Sequence, residues 1–112
     1  MTSSQKACPR GVTAAFRVIH SAPPSLVNPD NRFIRAAAES MSRIFGKETV
    51  YIRSGGSIPI AGLFAQHLNI PSVMMGFGLP DDNIHAPNEK FYLPNFFKGI
   101  EAVTGYLEAL GA

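Results

Sequence analysis

Thr49-Val50-Tyr51-Ile52 runs through Arg53-Ser54-Gly55-Gly56-Ser57 into Ile58-Pro59, and the reading of this passage sets the fold class. Its first four residues are β-branched or aromatic, the composition of a short buried strand. The glycines and serines make a flexible turn. Residues 58–68 then read as a helix, with Pro59 tolerated in its first turn and Asn69 closing it. Ile70-Pro71-Ser72-Val73-Met74-Met75 is a second short apolar strand.

Upstream, Asp30 or Asn28 can cap a helix running to about Phe45. Phe33, Ile34, Ala37, Met41, Ile44 and Phe45 recur at three- and four-residue spacing and form its apolar stripe, and Gly46 suits a left-handed end. Downstream, Gly76-Phe77-Gly78 opens a long loop that reaches Lys90. Pro94 opens a last helix with Phe96, Phe97, Ile100, Val103, Leu107 and Leu110 as its stripe, and Gly111 ends it. Helix, strand, helix, strand, loop and helix in that order predict an α/β class: a partial α/β layer in which a short parallel strand pair is flanked by helices. Two short strands rarely make a self-sufficient sheet, so they read as parts of something larger.

The start of the chain is different. Residues 1–13 are expected to carry no regular structure. Phe16-Arg17-Val18-Ile19-His20 alternates weakly, as a strand does, before Ser21-Ala22-Pro23-Pro24 breaks it. A strand followed by a stiff connector fits a chain passing from one domain into another, and it also fits an ordinary loop.

Composition excludes several functions. The formal charge is +2 over 112 residues and comes from scattered Lys and Arg, so neither a nucleic-acid nor a membrane surface is indicated. No apolar run is long enough for a membrane span, and the first residues lack the apolar stretch of a signal peptide. Cys8 is the single cysteine, which rules out an intramolecular disulfide and fits a reducing, cytoplasmic setting.

Two loops could carry chemistry. Gly55-Gly56-Ser57 stands between a strand and a helix start, where backbone N–H groups and a hydroxyl can receive a carboxylate, phosphate or developing oxyanion. The same residues also fit a tight turn in which Ser57 caps its own helix. Arg53 beside them can clamp a carboxylate or make a surface ion pair. The second loop holds Asp81-Asp82-Asn83-Ile84-His85-Ala86-Pro87-Asn88-Glu89 beyond the second strand, where α/β proteins keep their sites. His85 reads either as a surface imidazole or as a metal ligand. A zinc site needs three or four ligands, and His20, His67 and His85 show no tight spacing. His67 falls late in a helix, where it would meet the helix end, and His20 reads as structural.

Arg53-Ser54-Gly55-Gly56-Ser57-Ile58-Pro59, then Gly76-Phe77-Gly78, then His85-Ala86-Pro87-Asn88-Glu89 and a closing amphipathic helix resemble the C-terminal end of M20 metallopeptidases. The likeness is to the dipeptidase branch with carnosinase-like and succinyl-diaminopimelate desuccinylase-like members, and it spans roughly residues 16–110. The resemblance implies a catalytic domain with a two-metal centre, usually zinc, and an inserted lid domain. In such enzymes a metal-bridging water attacks an amide, with a glutamate as general base. It implies His85 as a metal ligand, and Arg53, Gly56 and Ser57 at the substrate. Ser54 stands where some members carry an acidic residue, so recognition of a substrate amino group does not carry over. Residues 14–24 then correspond to the last lid strand and its connector, and residues 25–112 to the C-terminal part of the catalytic domain.

The same resemblance places the other metal donors and the general base upstream of this segment. The expected function is therefore a C-terminal piece of a metal-dependent amide hydrolase, acting on a dipeptide or N-acyl amino acid and not competent alone. Its expected partners are a polypeptide supplying the upstream domain or further copies of itself. The alternatives are a non-catalytic α/β remnant or interaction module, and a small anion-binding module built on Gly55, Gly56 and Ser57.

Overall fold

A computed structural model of the chain describes residues 9–19, 21, 24–53 and 58–111. The readings that fall on Cys8, His20, Pro23, Ser54, Gly55, Gly56 and Ser57 lie outside the described residues.

Helix α1 spans Arg32–Phe45. Its cap is Asn31, one residue beyond the expected Asp30 and three beyond Asn28. Asn31 has extended backbone (φ −64°, ψ 135°), and its side-chain oxygen accepts the Phe33 N–H at 2.9 Å. Asn28 is used one turn earlier. Its side chain accepts the Asp30 N–H at 3.0 Å and its carbonyl the Asn31 N–H at 3.1 Å. That turn delivers Asn31, with its own acceptor free, to the helix start. Gly46 ends the helix as expected, at φ 68°, with its N–H on the Ser42 carbonyl at 2.9 Å.

Past Gly46 the chain is stapled back onto α1 through Thr49. The Thr49 hydroxyl donates to the Ala38 carbonyl at 2.8 Å, and the Thr49 N–H donates to Ser42 Oγ at 3.0 Å. Residues 50–52, read as strand, then turn outward: Val50 is 78% and Ile52 82% exposed. Residues 16–19, 49–52 and 70–75 form no ladder with one another among the described residues.

Helix α2 spans Pro59–Leu63, with Pro59 in its first turn, and continues into one π turn at Phe64–Leu68. The expected single helix over 58–68 is thus two geometries. Asn69 closes it at φ 52°, its N–H reaching back to the Phe64 carbonyl, a five-residue step that widens the last turn.

Helix α3 spans Leu93–Gly111 and, among the described helices, packs on α1 alone. The stripe expected to face inward does not. Phe96, Phe97, Ile100 and Leu107 are all more than half exposed. The buried face is Gly99, Ala102 and Gly105, opposed by Ala37 and Ser40. Small residues let the two backbones close until Ser40 Oγ donates to the Ala102 carbonyl at 2.7 Å. A Cβ on Gly105 would lie 2.9 Å from Ser40 Oγ and run into the Arg43 guanidinium. Larger side chains cannot enter so narrow a gap, which is why the aromatic stripe is turned away from it.

Outside this seam, the buried residues among those described are Ala61 on α2 and Asp82. The accessible surface is 9613 Å², against about 6,000 Å² for a compact chain of this mass. No helix among the described residues is long and apolar enough to cross a membrane.

Candidate functional site

The loop between residues 76 and 92 is held at its entrance by Phe77. Its ring lies on the bare backbone of Gly99, where an added Cβ would come within 3.2 Å of it, and stacks on Phe45 at 6.3 Å between centroids. The Asn95 side chain donates to the Phe77 carbonyl at 2.9 Å. The ends of α1 and the start of α3 together therefore fix where the loop begins.

Asp82 forms the neck of the loop. Its N–H donates to the Leu79 carbonyl at 3.1 Å, while its Oδ2 accepts the Leu79 N–H at 2.7 Å. Its carbonyl accepts the Lys90 N–H at 3.0 Å, which ties the far end of the loop to the same residue. Asp82 is 2% exposed, and its second oxygen, Oδ1, is buried with no hydrogen-bond partner among the described residues. On the outside of the neck, Asp81 and Lys90 make an exposed ion pair. The hydrogen bond from Lys90, with its charge, lowers the Asp81 pKa, and the same bond raises that of Lys90.

Within this closed loop the backbone is unusual. Asn83, His85 and Asn88 all have positive φ, at 53°, 62° and 61°. Asparagine tolerates that region, but histidine does so at a cost of roughly 1–3 kcal/mol. The Ala86 N–H donates to the Asn83 carbonyl at 2.9 Å, closing a turn with His85 at its third corner, where glycine is the usual residue. A histidine kept at a corner that favours glycine, inside a loop closed at both ends, is held in a defined place. Its side chain is exposed.

Of the residues singled out in the sequence, His85 lies on this loop and Arg53 is an exposed residue after the 50–52 segment. Gly56 and Ser57 fall outside the described residues, so no distance relates them to His85. His67 lies in the π turn, exposed. Sequence reasoning missed Asp82 as the neck and Phe77 as the anchor. The signal for the first was a paired aspartate ahead of an Asn-rich loop. The signal for the second was an aromatic flanked by glycines.

A zinc centre takes three or four protein donors. Among the described residues, no three His, Cys, Asp or Glu side chains stand together in a way that could hold a metal ion. Asp82, the buried carboxylate of the loop, accepts the Leu79 N–H with Oδ2. The described residues do not by themselves group into a metal centre.

Comparison with known proteins bears on the same loop. Residues 3–109 match the description of Peptidase family M20/M25/M40. The Cys-Gly metallodipeptidase dug1 of Schizosaccharomyces pombe is 33% identical over 98 residues, covering 88% of this chain and 21% of that protein. The Beta-Ala-His dipeptidase of Homo sapiens is 31% identical over 83 residues, covering 74% of this chain and 16% of that protein. The solved structure of the di-peptidase Dug1p from Saccharomyces cerevisiae superposes with a TM-score of 0.70 at 33% identity, over 73% of this chain and 17% of that one. The chain thus spans about a fifth of the length of these relatives. With the match extending over nearly all of its residues, the chain belongs to peptidase family M20/M25/M40.

Proposed function

We propose that this chain forms the C-terminal part of the catalytic domain of a metal-dependent amide hydrolase of the dipeptidase class. In this reading His85 contributes one ligand to a two-zinc centre whose other donors, with the general base, come from polypeptide outside these 112 residues. Arg53, Gly56 and Ser57 face the substrate, a dipeptide or N-acyl amino acid. Residues 49–52 and 70–75 become strands of an α/β layer once neighbouring strands are supplied. The observation that carries the reading is the family match over residues 3–109, which takes in the loop that holds His85 at φ 62°. The metallodipeptidase name of the fission-yeast relative supports metal-dependent dipeptide hydrolysis. The chain alone is inactive in this reading.

A second reading, a non-catalytic α/β remnant that survives by association, draws on the exposure of Val50 and Ile52 and on the absence of a grouped donor set among the described residues. One experiment separates the two. Zinc retention and dipeptide hydrolysis are measured for the purified chain, with and without a polypeptide carrying the upstream part of a relative. The first reading predicts no turnover alone and turnover on mixing. Turnover by the lone chain contradicts the inactivity, and no turnover from a folded mixture favours the remnant.

A further inference from the structure

We infer that Asp82 is the positioning residue of the His85 loop: its buried carboxylate fixes the Leu79–Asp82 turn, and that turn sets the carbonyl which closes the neck on the Lys90 N–H and so holds His85 in its left-handed corner. The inference deepens the reading of His85 as a ligand and rests on it for its functional meaning.

Three positive-φ residues other than glycine lie between residues 83 and 88. Asn83 and Asn88 adopt the left-handed region at little cost, but His85 does not, and in a free loop it would relax to ordinary backbone angles. Something must therefore over-determine the loop. The Asp81–Lys90 pair is exposed at both partners, and an exposed ion pair holds little. Asp82 is the buried member of the neck. It exchanges two hydrogen bonds with Leu79 and receives the Lys90 N–H on its carbonyl. The side chain is thus braced on the entry side and the backbone on the exit side. Gly78 makes room for it, since a Cβ there would stand 3.2 Å from Oδ2. The neck sits directly after Phe77, which is anchored on α3, so its position passes to the helix pair. Among the described residues Oδ1 has no partner, and the carboxylate bonds through Oδ2 to Leu79. An amide oxygen can do the same. The carboxylate's charge is not what the neck uses.

The test is carried out on the full chain without metal. Amide hydrogen exchange is followed by NMR at Leu79 and Lys90, together with the carbon shifts of Asn83, His85 and Asn88 that report positive φ. Asp82→Ala is expected to speed exchange at Leu79 about tenfold, the loss of one hydrogen bond, to speed it to a smaller degree at Lys90, whose acceptor is the Asp82 carbonyl, and to move the three shifts toward ordinary values. Asp82→Asn is expected to stay within about twofold of the parent, since one oxygen still accepts from Leu79. Protection along α1 and α3 serves as the folding control. If Asp82→Ala unfolds the chain, Gly78→Ala is the second variant, and it should disturb the same two amides by crowding Oδ2. The parent pattern in both Asp82→Ala and Gly78→Ala overturns the inference, as does an Asp82→Asn variant no better than Asp82→Ala. A second arm measures zinc affinity after mixing with the upstream polypeptide, with about a tenfold loss expected for Asp82→Ala and recovery for Asp82→Asn. A loosened loop with unchanged zinc affinity upholds the neck and removes His85 from the metal, so failure of the two readings can be told apart.

Discussion

The seam between α1 and α3 and the stretch around Val50 and Ile52 are both apolar, yet they meet opposite fates. In the seam, Ala37 is 4% exposed and Ala102 fully buried, with Ser40 bonded across to the Ala102 carbonyl. In the other region, Val50 and Ile52, residues with far more apolar surface, are 78% and 82% exposed. Hydrophobicity does not separate the two. What separates them is a partner: the seam residues are small enough for two helices of this chain to meet, while the described residues supply nothing that covers the β-branched ones. Burial therefore marks what the described residues complete for themselves, and exposure marks the apolar surface they leave uncovered.

The largest expected effect attacks the seam. Gly105→Val places a Cβ 2.9 Å from Ser40 Oγ, and overpacking of this kind costs about 2 kcal/mol. For a chain with so small a core, that should move the urea midpoint far enough to lose most α1–α3 pairing, read by far-UV circular dichroism. An unchanged midpoint would mean that the seam is looser than described. Ser40→Ala should cost less, about 1 kcal/mol, by stripping the 2.7 Å bond to the Ala102 carbonyl. It is checked by the same denaturation curve, and a stabilised variant would contradict it.

The opposite region should respond in the opposite way. Ile52→Lys, on a side chain already 82% exposed, should shift the stability of the lone chain by less than about 0.5 kcal/mol. It should nevertheless reduce self-association, measured by light scattering against concentration. A large destabilisation would show that Ile52 is covered after all, and the contrast would fail.

The smallest effect concerns the loop. Asp81 titrates below its ordinary 3.8 and Lys90 above its ordinary 10.5, chiefly through the hydrogen bond they share. The lowered carboxylate contributes stability that is present above pH 3.8 and lost as pH falls through its folded value. The raised amine contributes stability that is present below pH 10.5 and lost as pH rises through its folded value. Exchange at the Lys90 amide should therefore show no loosening of the neck between these limits once its intrinsic pH dependence is removed. A step near neutrality would point to a different group.

Much of this was legible in the sequence because it depended on local chemistry. Gly46 at a left-handed helix end, Pro59 and Pro94 in first turns, and the span of α1 follow from residue preferences that need no tertiary partner. The motif carried by His85 was legible as a family likeness, and the match over residues 3–109 bears that likeness out. What could not be read was the choice of face. The period of α3 pointed to Phe96, Phe97 and Ile100, but the gap to α1 admits only Gly99, Ala102 and Gly105. Nothing in a hydropathy pattern measures how closely two backbones approach. The cap moved from Asp30 or Asn28 to Asn31 because three potential acceptors lie within four residues, and only turn geometry ranks them. Asp82 was hidden for a similar reason. A buried carboxylate is recognised by the N–H it accepts, and Leu79 gives no sequence signal of being the donor.

The central claim is that the chain presents one metal ligand, placed by its own folded part, to a centre finished elsewhere. Its most direct test is the zinc content of the mixture with the upstream polypeptide after removal of free metal, compared between the parent chain and His85→Ala. The account predicts full occupancy for the parent and a clear loss for His85→Ala, with α1–α3 pairing intact in both. Equal zinc content in the two mixtures would contradict it.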